Sequence, residues 1–412
     1  MLLRTFITWL CLAALAAPLQ AQTAPDPIAQ LVGQLALDRY KATILGLTRF
    51  GDRRQGTARN RAALDWIEAQ LKSYGCSNTE RLAYDFTEPA RRGPVQLQPL
   101  RAGGPAAQGG GTLFGRRAPT SVNTDPMAQP DERLRALNAE GPPLGAGTRE
   151  SLYCTKIGAT HPEEMYIVSA HMDGLGYGEA ADDDASGTAL VMELARLFSQ
   201  PGVTTERSIR FILWNNEETG LNGAYAYVAQ RQALQGIESP KGSGRYPEPT
   251  WLGMIQHDML LFDHGMPVPK LDADGKPVLD ARGQPVMIAP KGQRAEADVN
   301  IEFQANSKLA EGSARLAWTL RAANEKYATD YPAAVGNRMT NTDSTPFMDL
   351  VPAISVRENE RGMQIGAGWN PHWHQPTDLF TSYSDQDFLL GLNAAQTTLA
   401  AVAQLAGLTF KP

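Results

Sequence analysis

Residues 166–187, YIVSAHMDGLGYGEAADDDASG, constrain the fold more than any other part of the chain. The stretch opens on a short apolar run, residues 166–170, of the kind that forms a buried strand. His171, Met172 and Asp173 follow, then a glycine-rich loop, then Asp182, Asp183 and Asp184. Ala185, Ser186 and Gly187 lead into an amphipathic helical run, TALVMELARLF. A histidine and several carboxylates therefore sit where a central strand ends and a helix begins. In open α/β sheets that carboxyl edge is where ligands bind, and His with Asp or Glu is a zinc-holding ligand set.

The same alternation continues along the chain. Helical spacing covers residues 28–47 and 57–74, the second with Ala62, Leu64, Ile67 and Leu71 on one face and Gly75 as its stop. Residues 80–86, 150–156, 208–214, 251–258 and 352–356 read as strands, and residues 186–199, 221–233, 309–327 and 386–405 as helices. Strands alternating with helices predict a three-layer αβα sandwich around a mixed, mostly parallel sheet. Two stretches break the pattern. Residues 88–148 are rich in Gly, Pro, Ala and Arg and read as a long surface insertion. The second lies within residues 238–292: a polar Pro/Gly segment over 238–250 precedes the strand 251–258, and residues 267–292, with the turn signals DADGKP and DARGQP, read as an inserted hairpin.

The N-terminus carries a leader: Arg4, an apolar run over residues 6–17, and a cleavage point after Ala21. The run is short for a membrane span of about 20 residues. The expected organisation is a signal peptide over 1–21 and one catalytic domain over 22–412, secreted or periplasmic, with no later stretch suited to a bilayer. A net charge of −6 and a pI near 5.6 give no basis for nucleic acid or an anionic membrane as partner. Cys76 and Cys154 remain after the leader, and two arrangements stay open for them, a disulfide or two buried thiols.

The chemistry collects at the strand ends. The first gives His171 and Asp173, with Asp183 beyond; the second gives Glu217 and Glu218; the third gives Asp258. A late loop, NPHWHQPTD, adds His372, His374 and Asp378. Of six histidines, three lie in these segments. Hydrolytic zinc chemistry needs this inventory: ligands that leave a position open for water, a carboxylate shared by two metals, and an unbound carboxylate to move the proton. Each signal alone has a plainer reading. A Glu-Glu pair is usually a solvated helix start, Asp182–Asp184 could cap a helix, and His171 could be a core histidine. His257 and His264 read as structural or surface residues. The joint placement at successive strand ends argues for a metal site.

The ordered motifs HMD, ADDDASG, NEETGLNG, HDM and HQPTD resemble those of the co-catalytic di-zinc exopeptidases, which include secreted bacterial leucyl-type aminopeptidases and, more distantly, glutamate carboxypeptidase II. The resemblance runs from about Leu31 to the C-terminus, with the two Gly/Pro-rich stretches poorly covered. It implies that His171, Asp183 and Asp258 hold one zinc, that Asp183, Glu218 and His374 hold the other, and that Glu217 is the general base. It implies that Asp173 orients His171. The aspartate three positions before the Ser of Ser186-Gly187 is the bridging one, which selects Asp183, and the peptide after it is cis in some relatives. The H-x-x-x-D spacing to Asp378 prefers His374 over His372. The segment NTDSTPFMDL, with Asp343, resembles a loop near the family's site. The activity implied is hydrolysis of N-terminal residues from peptides. Carboxypeptidase action, glutaminyl cyclisation and a non-catalytic relative are the alternatives. Cyclases resembling this family lack the Ser-Gly that this chain keeps, and no carboxylate-holding basic residue is assignable from sequence.

Overall fold

The computed structural model describes residues 26–87, 122–140, 145–263, 268–281, 283, 285–288, 299–339, 341–358, 370 and 372–410. The leader and His264 lie outside these residues, as does most of the first insertion. The helices are α1 Pro27–Val32, α2 Leu37–Thr48, α3 Ala58–Ser73, α4 Glu132–Asn138, α5 Ala185–Phe198, α6 Asn222–Arg231, α7 Ala310–Tyr327 and α8 Asp385–Ala406. The strands are β1 Glu80–Thr87, β2 Ala146–Lys156, β3 His161–His171, β4 Val203–Thr205, β5 Arg207–Trp214, β6 Thr250–His257, β7 Val268–Pro269, β8 Met287–Ile288, β9 Val299–Phe303, β10 Ala333–Gly336, β11 Ala353–Arg357 and β12 Leu408–Phe410.

The expected helix over 28–47 is two helices. Asp26 caps α1 by accepting from the Ile28 and Ala29 amides, and Gly33 ends it before α2 starts. Thr57 caps α3 in the same way, through the Asn60 amide. Strands β9 and β10 had no sequence counterpart because each is short, and β10 has no fully buried residue. The inserted hairpin is present as β7 paired antiparallel with β8.

Eight strands form one mixed sheet in the order β1-β2-β5-β3-β6-β11-β9-β10. Its centre is parallel: β3 lies between β5 and β6, and β11 runs parallel to β6. The edges bring antiparallel pairs. Strand alternation splits the core in two. Val168, Ala170, Phe211 and Leu213 face α3, α5, α7 and α8; Ile167, Ile212, Trp214 and Met254 face α6 and Phe347. The result is the expected αβα sandwich. Helix α8 is long and apolar enough to cross a bilayer, contrary to the sequence reading, but it is mostly buried among α5, α7 and the sheet, as a core helix is. Cys76 and Cys154 form a disulfide that ties the segment before β1 to β2.

Candidate metal centre

The parallel register sets the site. His171 at the end of β3 is level with Trp214 on β5, and Ala170 is level with His257 on β6. The residues just beyond these ends, Glu217, Glu218 and Asp258, therefore emerge side by side with His171. The fourth contributor, His374, arrives on the late loop. Together with Asp183 and Arg357 they line a cavity of about 350 Å³.

Asp183 is at its centre. One carboxylate oxygen lies 3.2 Å from His171 Nε2 and the other 3.1 Å from His374 Nε2. His374 Nε2 also lies 2.8 Å from Glu218 Oε2, and His171 Nε2 lies 3.8 Å from Asp258 Oδ1. The three adjacent aspartates divide their work. Asp182 accepts the Leu260 and Leu261 amides and the Asn370 side-chain amide. Asp184 caps α5 by accepting the Gly187 amide, so the capping reading holds for one of the three. Asp183 alone turns into the cavity, and the Asp183–Asp184 peptide is cis. The amides of Asp182 and Asp183 both donate to Asp378, which fixes the aspartate turn to the late loop.

His374, not His372, reaches the cluster; His372 Nδ1 meets Thr377 Oγ1 at 2.9 Å. Asp173 departs from expectation. Its carboxylate is 4.0 Å from His171 Nδ1, whereas its main-chain oxygen accepts from Nδ1 at 2.9 Å. A carbonyl can only accept, so Nδ1 carries the proton and the Nε2 lone pair faces the cavity. The carboxylate instead accepts the Glu217 amide at 3.1 Å, where the chain turns after β5. His257 lies in the core between Ser169 O and Thr398 Oγ1, as a structural histidine. Asp343 is buried beside the cluster, within 3.4 Å of Gln256 Nε2.

Sequence reasoning missed several residues. Arg357 ion-pairs with Asp258 at 2.6 Å and is buried. Arg53, fully buried, donates to the carbonyls of Met172, Glu179 and Ala180 and so holds the loop between His171 and Asp183 from inside. The glycine-rich part of that loop lies against the late loop. A Cβ on Gly176 would stand 2.4 Å from the His374 carbonyl carbon. Residues 122–140, the end of the first insertion, pack on both loops rather than projecting from the surface. The Asn123 amide donates to His374 O at 3.0 Å, and its side chain donates to Gly176 O at 3.1 Å. Gln129, fully buried, donates to Tyr177 O at 3.0 Å and Pro376 O at 2.8 Å.

The donor set fits metal ions. Two ligand atoms on one tetrahedral zinc stand roughly 3.3 Å apart, close to the spacings around Asp183. Ligand atoms of His171, Asp183 and Glu218 all lie within 4.8 Å of one another. Among the described residues, Glu218 Oε1 and His374 Nδ1 have no hydrogen-bond partner. Without cations the cluster must hold protons instead. Burial pushes Glu218 up to about 7 against the pull of His374, with Asp183 adding to the rise. Burial would lower His374, but Glu218 and Asp183 carry it up to about 11. Burial also raises Glu217, and Glu218, Asp343 and Asp258 add to it against His171. Buried carboxylates in such number are stable only when paired or bound to metal.

The fold is an α/β sandwich with a cluster of metal-ligating side chains at the carboxyl edge of its sheet. Residues 153–259 match the model of Peptidase family M28. Carboxypeptidase Q of Xenopus laevis is 37% identical over 71 residues, 17% of this chain and 15% of that relative. The probable lipoprotein aminopeptidase LpqL of Mycobacterium tuberculosis is 28% identical over 252 residues, 60% of this chain and 43% of that relative. The chain thus spans less than half the length of these relatives. A zinc aminopeptidase from Bacillus subtilis shares the fold, with a TM-score of 0.56 at 15% identity over 90% of this chain and 95% of that one. The resemblance to the co-catalytic zinc exopeptidases, drawn from five short motifs, holds in the matched segment and in the fold.

Proposed function

We propose that this chain is an exported, zinc-dependent aminopeptidase that removes N-terminal residues from peptides. The observation that carries the reading is the placing of Asp183, which offers one oxygen beside His171 and the other beside His374. His171, Asp183 and Asp258 would hold one zinc, and Asp183, Glu218 and His374 a second. Bound there, zinc supplies Lewis-acid polarisation and an acidified water. Glu217 takes the proton of the attacking water on its carboxylate and delivers it to the leaving nitrogen, as the water oxygen joins the carbonyl carbon and the C–N bond breaks. Asp173 fixes where Glu217 starts through the Glu217 amide, and fixes the tautomer of His171 through its carbonyl. Arg357 neutralises part of the cluster charge at Asp258. The apolar leader and the disulfide support export, and after leader removal peptides are the expected partners, without nucleic acid or membrane.

A second reading, carboxypeptidase action, is favoured by one specific observation. Arg357 lines the cavity, and its Nη1 has no hydrogen-bond partner among the described residues. A guanidinium so placed suits a substrate carboxylate. Metal content and activity on free and N-blocked peptides separate the readings. About two zinc ions per chain, cleavage only of free N-termini, and loss of about 10²–10⁴-fold in rate with zinc retained in Glu217→Gln support the aminopeptidase. C-terminal cleavage of N-blocked peptides establishes the second reading, and a chain that binds no zinc sinks both.

A further inference from the structure

The two histidines of the cluster are held in different ways. His171 is fixed from behind, because its Nδ1 donates to the Asp173 carbonyl. A metal-binding imidazole ordinarily has such a partner, and it sets ring orientation and basicity. His374 has none among the described residues: its Nδ1 is buried without a hydrogen bond to any of them. Its backbone also takes a left-handed φ of 54°, uncommon for a residue with a side chain. The ring stacks on Trp373, with centroids 3.9 Å apart and planes 22° apart, a contact within the same loop. Beyond the cluster and its own loop, the described contacts that hold His374 act on its main chain.

Residues 122–138 do so. The Asn123 amide donates to the His374 carbonyl itself. The Asn123 side chain ties the same point to Gly176 O. Gln129 spends both its side-chain donor bonds on the two loops, one on Tyr177 O and one on Pro376 O, and its oxygen accepts the Asp131 amide. Asn138 adds a second donor to Tyr177 O at 3.1 Å. The segment is seated by Leu134, fully buried, and by Arg59, which donates to Leu137 O at 2.9 Å. A side-chain amide buried this completely and satisfied by carbonyls of two separate loops joins those loops into one unit.

We propose that residues 122–138 are a clamp that positions His374, with Asn123 and Gln129 as its positioning residues, so that one half of the metal centre depends on a segment outside the matched family region. The proposal rests on the two-zinc reading. The test follows zinc release from the full-length protein into excess chelator, for wild type, Gln129→Met and Asn123→Pro, which lacks the N–H that donates to His374 O, beside thermal unfolding of the metal-free proteins. The expected result is that one of two zinc ions leaves at least about tenfold faster in each variant, while the second leaves at the wild-type rate. Equal release of both ions in variants and wild type overturns the clamp and leaves the function standing. So does a uniform drop in unfolding temperature with unchanged release, which is what a merely structural role gives. If Gln129→Met does not fold, Asn123→Pro alone decides. Wild type that binds no zinc removes the function reading instead.

Discussion

Replacing Gly176 by alanine tests how closely the two site loops must approach. Gly176 has φ +93°, and an added Cβ would meet His374 C at 2.4 Å, His374 O at 2.5 Å and Gln375 N at 2.7 Å. These are backbone atoms, so no side chain can swing aside. Ordinary contact begins at 3.4 Å, which requires the loops to part by about 1 Å. The left-handed conformation costs about 1–2 kcal/mol with a Cβ present, and the overpacking about 1–3 kcal/mol more. Gly242 separates the two costs, since it has φ +82° with nothing within 4 Å of an added Cβ. Gly242→Ala should lose only the conformational part and keep full activity. Gly176→Ala should lose more stability and move His374, and a 1 Å misplacement at a reacting centre costs on the order of 10²-fold in rate. Thermal unfolding, zinc per chain and turnover of an aminoacyl substrate read the three effects. A Gly176→Ala enzyme matching Gly242→Ala in all three would refute the argument.

Two further expectations concern stability. Burial pushes His257 down to about 4, from an ordinary value near 6.5. A base whose folded value is depressed leaves stability intact above pH 6.5 and loses it as pH falls toward 4; at pH 4.5 the loss is about 2–3 kcal/mol. Urea midpoints at pH 7 and 4.5 should converge in His257→Gln relative to wild type, and an unchanged acid slope would show that the loss arises elsewhere. The Cys76–Cys154 bridge closes a separation of 78 residues, for which the chain-entropy account gives about 4–5 kcal/mol. Cys76→Ser and chemical reduction should lower the unfolding temperature alike, and an unmoved transition in both would show that the bridge adds nothing.

The sequence made the strand-end chemistry legible because burial writes itself into residue type. Runs such as SIRFILW have few other uses, and an acid or histidine directly after one is conspicuous. His171, Glu217, Glu218 and Asp258 stand out for that reason, whereas Asp183 and His374 are singled out from their neighbours only by the family resemblance. What could not be read is carried by main-chain atoms. Asp173 acts on His171 through its carbonyl, which any residue would supply. Asn123 and Gln129 serve the site through carbonyls of Gly176, Tyr177, His374 and Pro376, and they lie in a stretch whose composition resembles loose linker. Arg357 was hidden by position, since a cation ending a short strand resembles any solvated strand end until Asp258 is found opposite it. The break between α1 and α2 turns on a single Gly33 within an otherwise helical pattern.

The bonds from Asp378 to the amides of Asp182 and Asp183 join residues 196 and 195 positions apart in the chain. They bear on when the centre can be complete. During synthesis the first carboxylates and histidine emerge long before the loop that completes the centre, and the aspartate turn has no anchor until that loop arrives. A chain that stops before the late loop therefore has no assembled cluster. Completion of the cluster is thus set by the order in which the polypeptide is made.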